Sequence, residues 1–335
     1  MKKIFSLRNT LFVVCFIVLC ISGNLLFLKH LGKWVLFEDI EPLPVSRPRR
    51  IVVSMSTFST RIQLTALNTL EEMLQTQDMD RIIVTVSMNH RNDKGECLHS
   101  DCVSDQGIQE ASTMEDVLHV FLKRFGEFKP VKITQNYLHP FIHNDDPKRE
   151  LYLQIMTMKD FGPATKLLGA LLVEKEPDTI IIVVDDDQFY TAGYFLNLAI
   201  HLPQNAIMGS MYQYLGSMDN AVFVDNMIYM YPLHQGHGVQ IDGWLMGTGG
   251  VAYRVEYFTE DIFNEARQLS RECFLNDDVW LAGYMKKLKL TAYMYFGPSG
   301  YKHVRHATQS LSSIRGAQTT DLAICAKSYG FPNKY

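Results

Sequence analysis

A Rossmann-type, mainly parallel α/β sheet with helices on both faces, preceded by a single transmembrane helix, follows from three features of this sequence. Short runs of β-branched and other apolar residues recur along the chain, each close to a stretch with helical spacing. Strands that alternate with helices build parallel sheets covered on both faces. The run TIIIVV at 179–184 passes directly into three aspartates at 185–187, and open α/β sheets bind ligands beyond the carboxyl ends of their strands. Residues 11–28 carry no charge, and a helix of about that length crosses the hydrocarbon of a bilayer.

The N-terminal segments come first. Lys2, Lys3 and Arg8 precede LFVVCFIVLCISGNLLFL, and clustered positive charge before a span favours a cytoplasmic N-terminus. The expected order is a cytoplasmic tail (1–10), a membrane anchor (11–28), a stem (29–49) and a catalytic domain (50–335). That makes a single-pass type II membrane protein, in the Golgi or endoplasmic reticulum if the cell is eukaryotic. A cleaved signal peptide ending near Ser22 and Gly23 is the competing reading. The stem holds EDIEPLPVSRPRR, whose three prolines suit an extended spacer.

The remainder has the balance of a folded domain, because 47% of the chain is hydrophobic and 20% charged. A net charge of -4 offers no basic field for nucleic acid. RIVVSMS (50–56) and RIIVTVSM (81–88) read as strands buried on both faces. Between them, 62–74 carries a helical apolar stripe. The polar stretch 92–109 reads as an inserted loop, and VKITQNY (131–137) and AIMGSMY (206–212) as further strands. In KDFGPATKLLGALLVEKEPD, Gly162 is expected at a cap position with Pro163 in the first turn. Ala164, Leu167, Leu168, Leu171 and Leu172 then mark one face. Of six cysteines, Cys15 and Cys20 lie in the apolar span. Cys97, Cys102, Cys273 and Cys325 permit two disulfides, with 97–102 the easiest loop to close, or four free thiols. No Asn-x-Ser/Thr acceptor occurs.

Alternation along a strand sends Asp185 and Asp187 to one side and Asp186 to the other. Two neighbouring carboxylates repel unless a cation or proton lies between them. A hard divalent ion, Mn²⁺ or Mg²⁺, meets that need and keeps positions open for phosphate oxygens. A solvated acidic turn is the plain alternative. Four other stretches bear on the choice. Lys159, Asp160 and Lys166 surround a helix N-terminus suited to anions. DGWLMGTGGVAYR (242–254) combines glycines with aromatic residues, so Asp242, Trp244, Gly249 and Gly250 are candidates to line an acceptor site. A tight turn explains those glycines equally well. Asp277 and Asp278 precede an apolar helical run, where one is explained by capping and two are not. His303 and His306 are candidates to complete a metal shell, although single histidines also serve structural roles.

Five blocks, SMSTFSTRI, KDFGPATKL, VVDDDQFY, GTGGVAYR and NDDVWLAGY, resemble in the same order those of GT-A-fold glycosyltransferases of a family-2-like branch. These belong to the nucleotide-diphospho-sugar transferases that carry an Asp-x-Asp motif. The resemblance implies that Ser54, Thr57 and Arg61 lie along the nucleotide. It implies that Asp160 and Lys166 hold the nucleotide or its diphosphate, with Asp186 in the same set. Asp185 would contact ribose and the metal edge, Asp187 would be the principal ligand of Mn²⁺ (or Mg²⁺), and His303 or His306 would join it. Asp277 or Asp278 would be the general base. The Gln-x-x-Arg-Trp motif of processive members is absent from the sequence.

The function expected on these grounds is transfer of a sugar from a nucleotide-sugar donor to the hydroxyl of a glycan, glycoconjugate or other acceptor, inverting and non-processive. Two alternatives stand beside it. One is a membrane-anchored sugar- or nucleotide-binding protein without turnover, and the other a metal-dependent hydrolase or nucleotidyltransferase acting on phosphates.

Overall fold

The computed structural model describes residues 50–58, 61–76, 78–88, 119–121, 123–124, 131–133, 136–142, 150–215, 221–225, 237–296, 301–303 and 319–332. The expected tail, anchor and stem, the polar stretch 92–109 with Cys97 and Cys102, and His306 lie outside the described residues. Among those described, no helix is long and apolar enough to cross a membrane.

In chain order, β1 (Arg50–Phe58) leads through a π-helical turn (Ile62–Ala66) into α1 (Leu67–Thr76) and β2 (Arg81–Met88). β3 (Val131–Ile133), β4 (Asn136–Ile142) and β5 (Glu150–Lys159) precede α2 (Thr165–Val173), β6 (Thr179–Val184), β7 (Gln188–Tyr190) and α3 (Tyr194–Ile200). β8 (Ala206–Gly209), β9 (Met211–Leu215), β10 (Ala221–Asp225), β11 (His237–Gln240) and β12 (Trp244–Leu245) run to a 3-10 turn (Gly247–Gly249) and β13 (Val251–Arg254). The last described elements are α4 (Asp261–Arg267), α5 (Arg271–Phe274), α6 (Asp277–Lys287), β14 (Thr291–Phe296), β15 (Tyr301–His303) and α7 (Thr319–Ser328).

Ten strands form the main sheet in the order β11-β14-β8-β13-β6-β1-β2-β5-β4-β3. Its centre is parallel, β6 with β1, β1 with β2 and β2 with β5. The expected parallel sheet is thus borne out at the centre, and the flanks add antiparallel strands. β13 runs antiparallel between β6 and β8, and β4 runs antiparallel against β5. The expected single strand over 131–137 is the antiparallel hairpin of β3 and β4. The run 206–212 is also split, with β8 in the main sheet and β9 in a three-stranded sheet of order β10-β9-β12. The strands part beside Gly209, where a Cβ would lie 2.8 Å from the Gly250 carbonyl oxygen. β5 answers to no expected element, because ELYLQIMTMK mixes Gln154 and Thr157 among its apolar residues and shows neither a continuous run nor a clean alternation.

Both faces of the sheet are covered. Ile51, Val53 and Met55 of β1 pack with Leu70 and Met73 of α1 and Phe195 and Leu198 of α3. Val52 of β1 and Ile181 and Val183 of β6 pack on the other face, with Leu167, Leu168 and Leu171 of α2 and Trp280 of α6. Each fully buried aliphatic side chain contributes about 1.5–3 kcal/mol, so the period-two pattern of β1 and β6 stabilises both layers at once. Leu172, placed on the buried face by the spacing, is 48% exposed. Ala164 rather than Gly162 precedes the first residue of α2, while Gly162 takes a left-handed φ of +65° against the Phe274 carbonyl. Cys273 of α5 and Cys325 of α7 form a disulfide, one of the two bonds that the four cysteines permit.

α2 lies close to β2 because Gly169 has no side chain: a Cβ there would collide with the Thr85 side chain. Gly169→Ala is therefore expected to destabilise by about 1–3 kcal/mol through overpacking. Chemical denaturation checks this, and adding Thr85→Ala in the same chain should recover most of the loss.

Candidate functional site

β6 ends at Val184, level with Met55 of its parallel neighbour β1. Both chains then turn over the carboxyl edge of the sheet, and the aspartates lie in that turn rather than in the strand. Strand alternation therefore stops short of them, and the expected pairing of Asp185 with Asp187 is not what forms. Arg61, at the start of the π-helical turn, brings one guanidinium nitrogen to 2.7 Å from Asp186 and 2.8 Å from Asp187. Asp185 instead meets the Lys166 ammonium at 2.7 Å.

Lys166 is buried in the first turn of α2, and its ammonium also lies 3.2 Å from Asp277. Ser54 fixes that turn from below, donating its hydroxyl to the Lys166 carbonyl at 2.6 Å. Asp160 accepts the Gly162 N–H at 2.9 Å. Ser54 and Asp160 are both buried, so in this structure they shape the loop that carries Lys166. Thr57 is buried beside Asp186.

The glycine-rich segment supplies two residues that the sequence pattern had not singled out. Gly247 donates its N–H to Asp278 at 2.9 Å, and Thr248 donates its hydroxyl to the second oxygen of Asp185 at 2.8 Å. A Cβ at Gly247 would lie 2.5 Å from the Lys166 nitrogen, so only glycine lets this backbone close over the ion pair. The run GTGG was the legible signal. What it did not reveal was which glycine makes the contact. Gly249 offers its carbonyl to the Ser210 and Tyr194 hydroxyls, and Gly250 has a φ of +77°. Trp244 is no aromatic wall: it is buried, edge-on to Phe331, with its indole N–H donating to Gln213. Asp242 is exposed on the bend before β12.

Asp277 and Asp278 open α6, behind an Asn276 whose side chain caps nothing. Asp277 is buried against Lys166, while Asp278 is half-buried. β15 pairs antiparallel with β7 and sets the backbone of His303 opposite Gln188, next in sequence to Asp187. The structure thus gathers Arg61, Lys166, Asp185, Asp186, Asp187, Asp277 and Asp278, with Gly247 and Thr248, at the ends of β1 and β6.

Charge in this cluster is unevenly shared. Burial pushes the Asp278 carboxyl up to about 8, Asp277 adds to the effect, and Lys166 opposes it. Burial likewise lifts Asp186 to about 6, against the pull of Arg61. For Asp185, burial is outweighed by Lys166, and the carboxyl is held below its usual range. Lys166 in turn stays protonated, because Asp185 and Asp277 overcome its burial.

Asp185 and Asp187 both offer partly exposed carboxylates to a divalent cation, with side chains 31% and 23% exposed. Each Asp185 oxygen has one partner, Lys166 or Thr248. Each Asp187 oxygen likewise has one, Arg61 or Gln188, which leaves lone pairs on both side chains. No group of three or more His, Cys, Asp or Glu is arranged to hold a metal among the described residues. Such a site fits Mg²⁺ or Mn²⁺, which take one or two carboxylates and complete their shell with water and phosphate oxygens.

No family model and no curated protein sequence matches the chain. Among solved structures, the inositol-1-phosphate CTP transferase from T. maritima is similar over 86% of this chain and 99% of its own, with 9% identity and a TM-score of 0.36.

A carboxyl that binds its proton more tightly in the folded than in the unfolded state contributes stability that is full below about pH 4 and lost as pH rises through its folded value. For Asp278 that value is about 8. Asp278→Asn should therefore raise Tm relative to the parent, and by more at pH 9 than at pH 5. Thermal unfolding across that range checks it.

Proposed function

We propose that the chain is a metal-dependent glycosyltransferase that moves one sugar at a time from a nucleotide-sugar donor to an acceptor hydroxyl, with inversion. One observation carries this reading. A carboxyl pushed up to about 8, Asp278, is held by the Gly247 N–H beside the acidic turn Asp185–Asp187. A general base works best when it titrates near the operating pH, whereas a protein that only binds has no use for one.

In this reading the donor lies across the carboxyl ends of β1 and β6, the usual ligand position in open α/β sheets. Asp187, with His303 or His306, would hold a divalent ion, which would supply charge neutralisation for the departing diphosphate. Arg61 fixes Asp186 and Asp187 so that the turn keeps its shape. Asp278 takes the proton of the acceptor hydroxyl. The acceptor oxygen forms its bond to the anomeric carbon on the face opposite the diphosphate. The bond from that carbon to the diphosphate breaks, and its electron pair leaves on phosphate oxygen. Of the two adjacent aspartates, Asp278 is the better base, because Asp277 is buried against Lys166. The Cys273–Cys325 disulfide suits a catalytic domain on the non-cytosolic side of a membrane, in keeping with the type II anchor read at 11–28.

The test uses full-length protein in detergent, with nucleoside diphosphates and nucleotide sugars, with and without Mn²⁺. A ligand at a hundred times its Kd stabilises by about 2.7 kcal/mol. One nucleotide should stabilise only with Mn²⁺, and Asp187→Ala should abolish that shift. Asp278→Asn should keep the shift and lose transfer by about 10²- to 10⁴-fold. Release of nucleotide without any acceptor product would favour the hydrolase reading, and retained anomeric configuration in the product would refute inversion.

A further inference from the structure

Lys166 sits where a diphosphate-binding lysine is expected, yet its surroundings argue for a different task. Its side chain is 4% exposed. The ammonium is directed to two carboxylates from separate parts of the chain, Asp185 in the turn after β6 and Asp277 in the first turn of α6, at 2.7 and 3.2 Å. Gly247 closes over it so tightly that a single added Cβ would come within 2.5 Å of the nitrogen. At the other end, the Ser54 hydroxyl grips the Lys166 carbonyl at 2.6 Å. Both ends of the residue are thus tied to protein, and the ammonium reaches a donor phosphate only by leaving both partners.

We infer that Lys166 is a positioning residue that ties the donor-side turn at Asp185 to the helix bearing the base, holding Asp277 so that Asp278 alone faces the acceptor. The inference rests on the transferase reading and refines it. Asp277 and Asp278 are adjacent in sequence at the start of α6, and only one is paired to Lys166. The pairing turns Asp277 inward while the Gly247 N–H receives Asp278. Among the described residues, the titratable groups that face this aspartate pair are Lys166 from α2, Asp185 from the β6–β7 turn and Tyr253 from β13. Lys166 is the one cation among them. Its loss leaves Asp277 buried without a partner, which a protein avoids by shifting the group or the helix that carries it.

Steady-state kinetics separate this role from donor binding. Full-length protein in detergent is assayed with Mn²⁺, UDP-, GDP- and CMP-sugars, and free sugars and simple glycosides as acceptors, following both nucleotide release and glycoside product. Lys166→Met is expected to lower kcat by about 10²-fold while donor KM stays within about threefold, the pattern of a residue that acts only on the chemical step. Asp277→Asn placed in the same chain removes the stranded charge and should restore about tenfold of the lost kcat, a coupling that independent sites do not show. A donor KM raised about tenfold or more with kcat little changed would mean that Lys166 binds the donor, and overturns the inference. So would strictly multiplicative effects of the two substitutions. If Lys166→Met does not fold, Asp277→Asn alone decides. A drop in kcat of about tenfold with donor KM unmoved supports the tie, and an unchanged kcat overturns it. Absence of transfer by the parent from every donor would instead sink the transferase reading, and this inference with it. A parent that transfers leaves the two questions apart.

Discussion

The parallel pairing of β1 with β6 at the centre of the sheet is the constraint from which the site follows. Six consecutive residues of β6 are buried and register against Arg50 to Met55 of β1. Two strands so locked release their chains at one edge, and each must turn there. Polar backbone in those turns cannot enter the core without partners, so the turns remain at the rim, where they can meet a ligand. Arg61 leaves one strand and Asp185–Asp187 the other, and the two segments find each other because the register brings them to the same level. At the opposite end of the sheet, Glu174 is buried between Arg50 and Arg81. That pairing compensates the buried Glu174 within the protein.

Five carboxylates face two cations in this cluster among the described residues. Burial, with the neighbouring carboxylates adding to it, lifts Asp186 and Asp278 above ordinary aspartates. A site of this kind costs folding stability and gains affinity for whatever brings positive charge. A divalent ion at Asp187 would relieve the same repulsion that now lifts its neighbours. The glycine turn over Lys166 completes the arrangement, since any side chain at Gly247 would displace the ammonium that compensates Asp185 and Asp277.

The centre of the fold was legible because β1, β2 and β6 are short, continuous and β-branched, a pattern that only a strand covered on both faces requires. β5 was not, since its polar residues break the run while its place beside β2 depends on pairing alone. The hairpin of β3 and β4 and the split between β8 and β9 escaped for a related reason: strand direction and sheet membership are set by tertiary contacts, not by composition. At the site, residue types were legible and partners were not. Asp185, Asp186 and Asp187 declared themselves as a charge cluster, yet their assignment by strand alternation failed once the strand ended at Val184. Trp244 looked like ligand-facing aromatic surface because a sequence shows that a side chain is large but not which way it turns.

The position of the base depends on more than its own turn. α6 is buried along most of its length, from Val279 to Met285, and Gly283 has no room for a Cβ against the Tyr329 ring. α5, which ends at Phe274, is tied through Cys273 to Cys325 of α7. The Phe274 carbonyl in turn presses on Gly162 at the entry to the loop carrying Lys166. The first turn of α6 is therefore held by a disulfide behind it, a glycine contact beside it and an ion pair ahead of it, each from a different segment. Catalytic groups need placement to about 0.5 Å, and packing against rigid elements is how a fold supplies it. The acidic turn after β6 is held by Arg61, Lys166 and Thr248, and by the Thr69 hydroxyl of α1, which donates to the Asp186 carbonyl. Incoming charge would thus be felt first at that turn, with Lys166 as the connection through which it reaches the helix of the base.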